Sequence, residues 1–258
     1  MEAPQIRQVP STARLIAIEG IDGSGKTSLS KALQPLIFAS IERRLAELAS
    51  NARSVEVVTP WEAHGWTKDV RQFFVDGIGD NLTEMLLTTA CRRELVRTKI
   101  DPMLREGSFV IVDRFIATTM AYQCELSDDL RIALDLFRDF VYRMIPGLTL
   151  YLDVPYVDAL ARASDRGKMD SIEQRGELFH EGLDVKFRLA FAVLASISNA
   201  YAVRIDASQP FDEVVAESMR VIEWYLDVLF SVGQERDTAT AELKARNITS
   251  MEYVNAGP

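Results

Sequence analysis

Apolar positions along the chain fall into two alternating patterns. Short continuous runs, Leu15–Ile18, Val55–Val58, Phe109–Val112, Leu148–Leu152 and Ala202–Ile205, are bounded by Gly, Pro or charged residues and predict buried strands. Between them the period becomes helical. A helix after Lys26 is predicted to reach about Ser50, with Pro35 kinking or splitting it. Further helices are expected over Lys68–Val75, Leu82–Leu104, Ile116–Gln123, Asp128–Met144 and Tyr156–Ala163. A long helix then ends near Ala200, and a last one spans Phe211–Leu229. Trp61–Gly65 reads as a loop. Strands alternating with helices predict an α/β fold with a five-stranded parallel sheet and helices on both faces. In such sheets ligands bind beyond the carboxyl ends of the strands. That rule puts Gly20–Thr27, Thr59–Gly65, Asp113-Arg114 and Asp153 on one rim.

The polar segments divide the chain further. Residues 1–13 read as a flexible arm, 14–232 as one domain, and 233–258 as a polar tail. Within the domain, about 163–175 is polar and Gly-punctuated, as expected of a lid. Composition narrows the functional classes. A net charge of −9 over 258 residues excludes a large footprint on polymeric nucleic acid. No apolar run approaches the roughly 18 residues of a membrane span, so no membrane association is expected. The N-terminus lacks the apolar core of a secretory signal. Two cysteines, Cys91 and Cys124, predict a reducing, cytoplasmic setting rather than a disulfide framework. No His/Cys cluster has zinc spacing.

The strongest chemical signal is Gly20-Ile21-Asp22-Gly23-Ser24-Gly25-Lys26-Thr27, which fits G-x-x-x-x-G-K-[ST] between a strand and a helix. Gly20, Gly23 and Gly25 let backbone N–H groups turn inward on an anion, beside a helix N-terminus. Lys26 is placed to reach the β/γ-phosphates of a nucleoside triphosphate, and Thr27 to ligate Mg²⁺. Asp113, at the end of FVIVD, stands at the position of a Walker-B carboxylate, which can hold Mg²⁺ directly or through water, and Arg114 suits a bidentate grip on phosphate. Asp22 is an acid inside a phosphate loop, so it must face another group, such as a sugar hydroxyl. Glu19, just before the loop, is open to a structural reading.

IEGIDGSGKTS, DRFIATTMAYQ (Asp113–Gln123), LYLDVP (Leu150–Pro155), RASDRGKMDSIEQ (Arg162–Gln174) and IDASQPFDEVV (Ile205–Val215) together resemble the thymidylate kinase family of P-loop nucleoside monophosphate kinases. The resemblance runs from about Arg14 to Leu229. It implies the three-layer P-loop NTPase fold and transfer of the ATP γ-phosphoryl to a nucleoside monophosphate, dTMP or a related pyrimidine deoxynucleotide, with Mg²⁺. It further implies that Gly20, Asp22, Gly23, Ser24, Gly25, Lys26, Thr27, Ser28 and Arg162 form the ATP site. Asp22 then contacts the acceptor sugar, Arg114 the acceptor phosphate, and Arg92 the thymine carbonyl. Thr119, Tyr122 and Gln123 complete that pocket. Arg166 matches the bacterial-type lid arginine that bridges the phosphates, in agreement with Ser24 replacing an arginine in the loop. A homodimer packed through helices flanking the third strand is implied as well.

Three departures from the family pattern concern the acceptor and the lid. Pro60 stands where an arginine of T-R-E-P-G-G is usual, and Thr88 where an aromatic residue stacks on the base. The lid reads Asp170-Ser171-Ile172-Glu173 in place of D-R-I-E. Trp61 and Trp66 are candidates for a substitute aromatic wall or for ordinary packing, and His64 for a substitute phosphate contact. Arg71 and Arg93 read as surface charge in preference to replacement cations. A kinase for another small acceptor and an ATP-binding regulatory protein are the alternative functions.

Overall fold

The computed structural model describes residues 11–47, 54–77, 79–125, 127–137, 144–164, 177–197 and 200–230. Five strands, β1 (Leu15–Gly20), β2 (Val55–Val58), β3 (Phe109–Asp113), β4 (Leu148–Asp153) and β5 (Tyr201–Asp206), form one parallel sheet in the order β2-β3-β1-β4-β5. The all-buried runs of β1 and β3 lie at its centre, as residues covered on both faces must. Leu15 pairs with Val110 and Ile18 with Asp113, while Gly20 lies beside Leu152 of β4. This register brings the end of β1, where the glycine-rich loop starts, level with the ends of β3 and β4.

Helices cover the sheet on both faces. α1 (Lys26–Glu47) and α9 (Phe211–Phe230) pack together, joined at the surface by ion pairs from Arg44 to Glu223 and Asp227 at 2.6 Å. α5 (Ile116–Gln123) and α8 (Glu177–Ile197) pack together elsewhere, with Phe187 of α8 against Tyr151 of β4 at 5.0 Å between rings. α1 is a single helix, so the split expected at Pro35 does not occur. Leu29, Leu33, Ile37, Ile41 and Leu45 form a fully buried stripe through it, and that burial outweighs the one backbone hydrogen bond a proline removes.

Other boundaries move for similar reasons. Ser11–Arg14 is a 3₁₀ turn and belongs to the domain, not to an arm ending at residue 13. The Thr12 carbonyl accepts from Gly147 N–H, the Ala13 carbonyl from the Tyr225 hydroxyl, and the Arg14 guanidinium donates to the Leu104 carbonyl at 2.6 Å. Pro60–Glu62 is another 3₁₀ turn, and α2 begins at Gly65 and runs to Asp76, so the Trp61–Gly65 loop is shorter than expected. The helix expected over Leu82–Leu104 is α3 (Asn81–Leu95), a π-helical segment (Val96–Ile100) and α4 (Asp101–Arg105). α6 spans Ser127–Leu136 and α7 Tyr156–Ser164. The expected lid, apart from Ala163-Ser164, and the tail beyond residue 230 lie outside the described residues.

Candidate active site

At Gly20 and Gly23, where the chain leaves β1 and turns, there is no room for a side chain. Gly23 has φ +81°, and a Cβ there would stand 2.0 Å from the Ala159 carbonyl oxygen of α7. Only glycine allows this close approach. Inside the loop the Lys26 ammonium is buried, donating to the Ile21 carbonyl at 2.5 Å and to the Ser24 hydroxyl at 3.3 Å. Burial, and next the neighbouring Arg114 charge, push its pKa down to about 7, against the pull of Asp22, Asp113 and Glu19.

That shift has a sign that can be measured. Between pH 7 and the ordinary lysine value the folded protein holds less than the full Lys26 proton that the unfolded chain holds. This group therefore makes stability rise with pH across that window and contributes nothing further above it. A polyphosphate beside the ammonium restores its charge. Titration calorimetry with ATP at pH 8 in phosphate and in Tris should thus reveal proton uptake on binding, and identical heats after correction for buffer ionisation would refute the shift.

Thr27 lies in the first turn of α1 and Asp113 closes β3, and the β1–β3 register brings them together. The Thr27 hydroxyl donates to Asp113 Oδ2 at 2.5 Å, while Oδ1 is buried without a hydrogen-bond partner. One hydroxyl and one carboxylate suit Mg²⁺, which takes few protein ligands and fills its octahedron with phosphate oxygens and water. Among the described residues no cluster of three or more His, Cys, Asp or Glu side chains offers a protein-only metal cage.

Next to this pair the chain assembles a charged triad from distant segments. Arg114 pairs with Asp22 Oδ1, and Tyr122 donates to Asp22 Oδ2 and accepts from its N–H, both at 3.2 Å. Burial opposes the Arg114 charge, but Asp22, Tyr122, Asp113 and Glu19 outweigh it and raise its pKa. Arg114 is the one non-glycine among the described residues with positive φ, +68°, a strained conformation of the kind that accompanies functional sites. Glu19 proves to be the support for this corner. Its buried carboxylate accepts from Phe115 N–H at 3.1 Å, Thr118 N–H at 3.3 Å and the Thr118 hydroxyl, capping α5. Burial raises the Glu19 pKa, and those hydrogen bonds and Arg92 limit the rise.

Asp22, Arg114 and Tyr122 open into a cleft that is also lined by Thr88, Arg92 and Gln123. A directed hydrogen-bond chain sets its floor: Arg92 donates to Thr119, Thr119 to Thr88 at 3.3 Å, and Thr88 to the Glu84 and Met85 carbonyls at 2.9 and 3.0 Å. Arg92 is almost fully buried, which lowers its pKa to about 10 despite the pull of Glu19. Trp61 and Phe74 line the same cleft with ring centroids 5.5 Å apart, so an aromatic wall exists although Thr88 is not part of it. Trp66 is 44% exposed and is not in that wall. His64 pairs with Glu94 at 3.0 Å instead of turning to the cleft. Arg71 is exposed on α2, as surface charge is, and it also lines the cleft, whereas Arg93 does not. Arg71, Phe74 and Val75 share one side of a short helix, and their i, i+3, i+4 spacing was the available signal.

A second cleft lies on the other side of the glycine-rich loop. Ser24, Gly25, Ser28 and Arg162 line it, together with Gln209 and Phe211 from the β5–α9 turn. Arg162 donates to the Ala207 carbonyl at 2.9 Å, which ties α7 to that turn. Gln209 and Phe211 were not singled out by motif reasoning. Arg166 lies outside the described residues.

Residues of the glycine-rich loop thus line two clefts, Ser24 and Gly25 the one that holds Arg162, and Asp22 the one lined by arginines and aromatics. Residues 18–218 match the family model described as Thymidylate kinase. The chain belongs to the thymidylate kinase family. It is 35% identical over 209 residues to the thymidylate kinase of Dinoroseobacter shibae, covering 79% of this chain and 93% of that one. It is 31% identical over 219 residues to that of Legionella pneumophila (84% and 97%) and 32% identical over 219 to that of Latilactobacillus sakei (81% and 94%). Membership assigns the reaction: ATP-dependent phosphorylation of dTMP to dTDP. Thymidylate kinases generally use Mg-ATP. No helix among the described residues is long and apolar enough to cross a membrane.

Proposed function

We propose that dTMP occupies the cleft of Asp22, Arg92, Arg114, Tyr122 and Gln123, with buried Thr119 holding Arg92 from behind, and ATP the cleft of Ser24, Ser28 and Arg162. The observation that carries this assignment is the Asp22–Arg114–Tyr122 triad, which sets an anion-gripping guanidinium and a hydroxyl-accepting carboxylate beside the phosphate loop. Arg114 holds the acceptor phosphate, Asp22 accepts from the sugar 3′-hydroxyl, and Tyr122 stands against a ribose 2′-hydroxyl. Arg92 donates to a thymine carbonyl. Trp61 and Phe74 supply the apolar wall that the family draws from the Thr88 position, and Arg71 supplies the cation that Pro60 cannot.

Transfer needs no covalent intermediate. An acceptor phosphate oxygen attacks in line, and Lys26, Arg114 and the lid arginine Arg166 spread the charge that develops on the γ-phosphoryl. The Lys26 ammonium regains its proton beside that charge. Thr27 and Asp113 would hold Mg²⁺, which supplies electrostatic neutralisation of the β- and γ-phosphates. Arg162 lies against the adenine. We also propose a homodimer, supported by the exposed apolar residues Leu82 and Leu86 on α3. A cytoplasmic setting fits the two free, buried cysteines.

The test is ADP release with Mg-ATP across a panel of nucleoside monophosphates, with light scattering on the same preparation. Turnover highest with dTMP and a mass near two chains are expected. Turnover confined to another acceptor would sink the acceptor assignment, and a mass near one chain would sink the dimer.

A further inference from the structure

The base end of the acceptor cleft contains a buried acid with no place in the roles above. Glu84 sits on the first turns of α3 and is 2% exposed. Its Oε2 accepts from Gln123 Nε2 at 3.2 Å, across 39 residues of chain. Gln123 is itself 3% exposed and lines the cleft, and its Oε1 is buried with no hydrogen-bond partner. A carboxamide can turn end over end at little cost, exchanging its acceptor for a donor. A carboxylate beside it removes that freedom. It has no proton to give, so the amide must present N–H to Glu84 and leave C=O for the other side. Arg92, which lines the same cleft and heads the Thr119–Thr88 chain, can only donate.

We infer that Glu84 is a positioning residue for base selection, locking the Gln123 amide so that the cleft offers one acceptor beside one donor. A pyrimidine base with an imide edge, N3–H next to a C4 carbonyl, matches that order. Cytosine presents the reverse, an unprotonated N3 next to an amino group, so acceptor faces acceptor at Gln123 and donor faces donor at Arg92. Leaving buried polar groups unpaired is what makes such discrimination steep. Glu84 need not touch the nucleotide. It acts through Gln123, and it selects the imide edge without reading the 5-methyl group, so dTMP and dUMP lie on the same side of the filter. This inference rests on the acceptor reading proposed above.

The test compares kcat/KM for dTMP, dUMP and dCMP. Wild type should favour dTMP and dUMP over dCMP. In Glu84→Gln, isosteric but able to donate, the Gln123 amide is free to turn, and the dTMP-to-dCMP preference should fall by about tenfold or more. The loss should come through KM for dTMP with kcat and ATP affinity little changed. In the exchanged pair Glu84→Gln/Gln123→Glu, residue 84 donates and residue 123 can only accept, so the preference should return. A Glu84→Gln variant that melts lower yet keeps the wild-type preference ratio would overturn the inference and reduce Glu84 to a structural role. Loss of preference without recovery in the exchanged pair would overturn it too. Wild type that does not distinguish dTMP from dCMP would instead sink the acceptor reading, and this inference with it.

Discussion

Lys26→Met should lower kcat by ~10²–10³-fold while leaving the melting temperature unchanged or raised. Methionine keeps the unbranched stem that packs in the loop but removes the ammonium. That ammonium is the group aimed at the phosphates, and in the free protein it is also a burden. It is 4% exposed, and burial pushes its pKa down to about 7. Its two contacts, to the Ile21 carbonyl and the Ser24 hydroxyl, offset only part of the cost of desolvating a charge. Catalysis and stability should therefore part company at this residue. Steady-state kinetics beside a thermal melt check it, and activity within tenfold of wild type would remove Lys26 from the machinery.

Arg114→Ala should cost ~10³-fold in kcat/KM for dTMP, with ATP affinity nearly intact, because the arginine serves the acceptor side. It also leaves Asp22, 21% exposed at its side chain, without the guanidinium that faces it. A second variant separates function from backbone. Arg114 has φ +68°, so Arg114→Gly should lose activity equally but retain more stability, by about 1 kcal/mol, since glycine adopts this conformation freely. Arg114→Lys should recover little, as a point charge cannot reproduce the planar fork. Equal melting temperatures for the Ala and Gly variants would contradict the strain, and near-normal dTMP kinetics would contradict the phosphate role.

Much of this protein is legible from the order of its residues, for identifiable reasons. The central strands β1 and β3 are nearly correct because parallel strands buried on both faces must be short and uniformly apolar. The edge strands β2 and β5 keep enough apolar positions to be found although they are only partly buried. Helix interiors were harder. At Pro35 a local rule predicted a break, and the buried Leu29–Leu45 stripe of α1 overrode it. In the 82–104 segment a single apolar period concealed a π-helical insertion, since that insertion changes winding without changing composition. Arg71 shows the same limit in the site. Its exposure on an amphipathic helix is readable locally, but its place at a cleft depends on how the fold turns α2.

Residues 20–27 fit the pattern of a triphosphate loop by themselves. Its glycines, lysine and threonine are contiguous, so strand, turn and helix position them with no help from distant chain. The acceptor side differs in kind. Asp22 meets Arg114 and Tyr122 across 92 and 100 residues, Glu19 caps a helix 96 residues on, and Gln123 answers to Glu84. Each partnership depends on β3 lying beside β1 and on α3 and α5 meeting over the same corner. Donor chemistry was thus a property of local backbone geometry, whereas the choice and orientation of acceptor groups became definite only when the sheet order brought separated segments together.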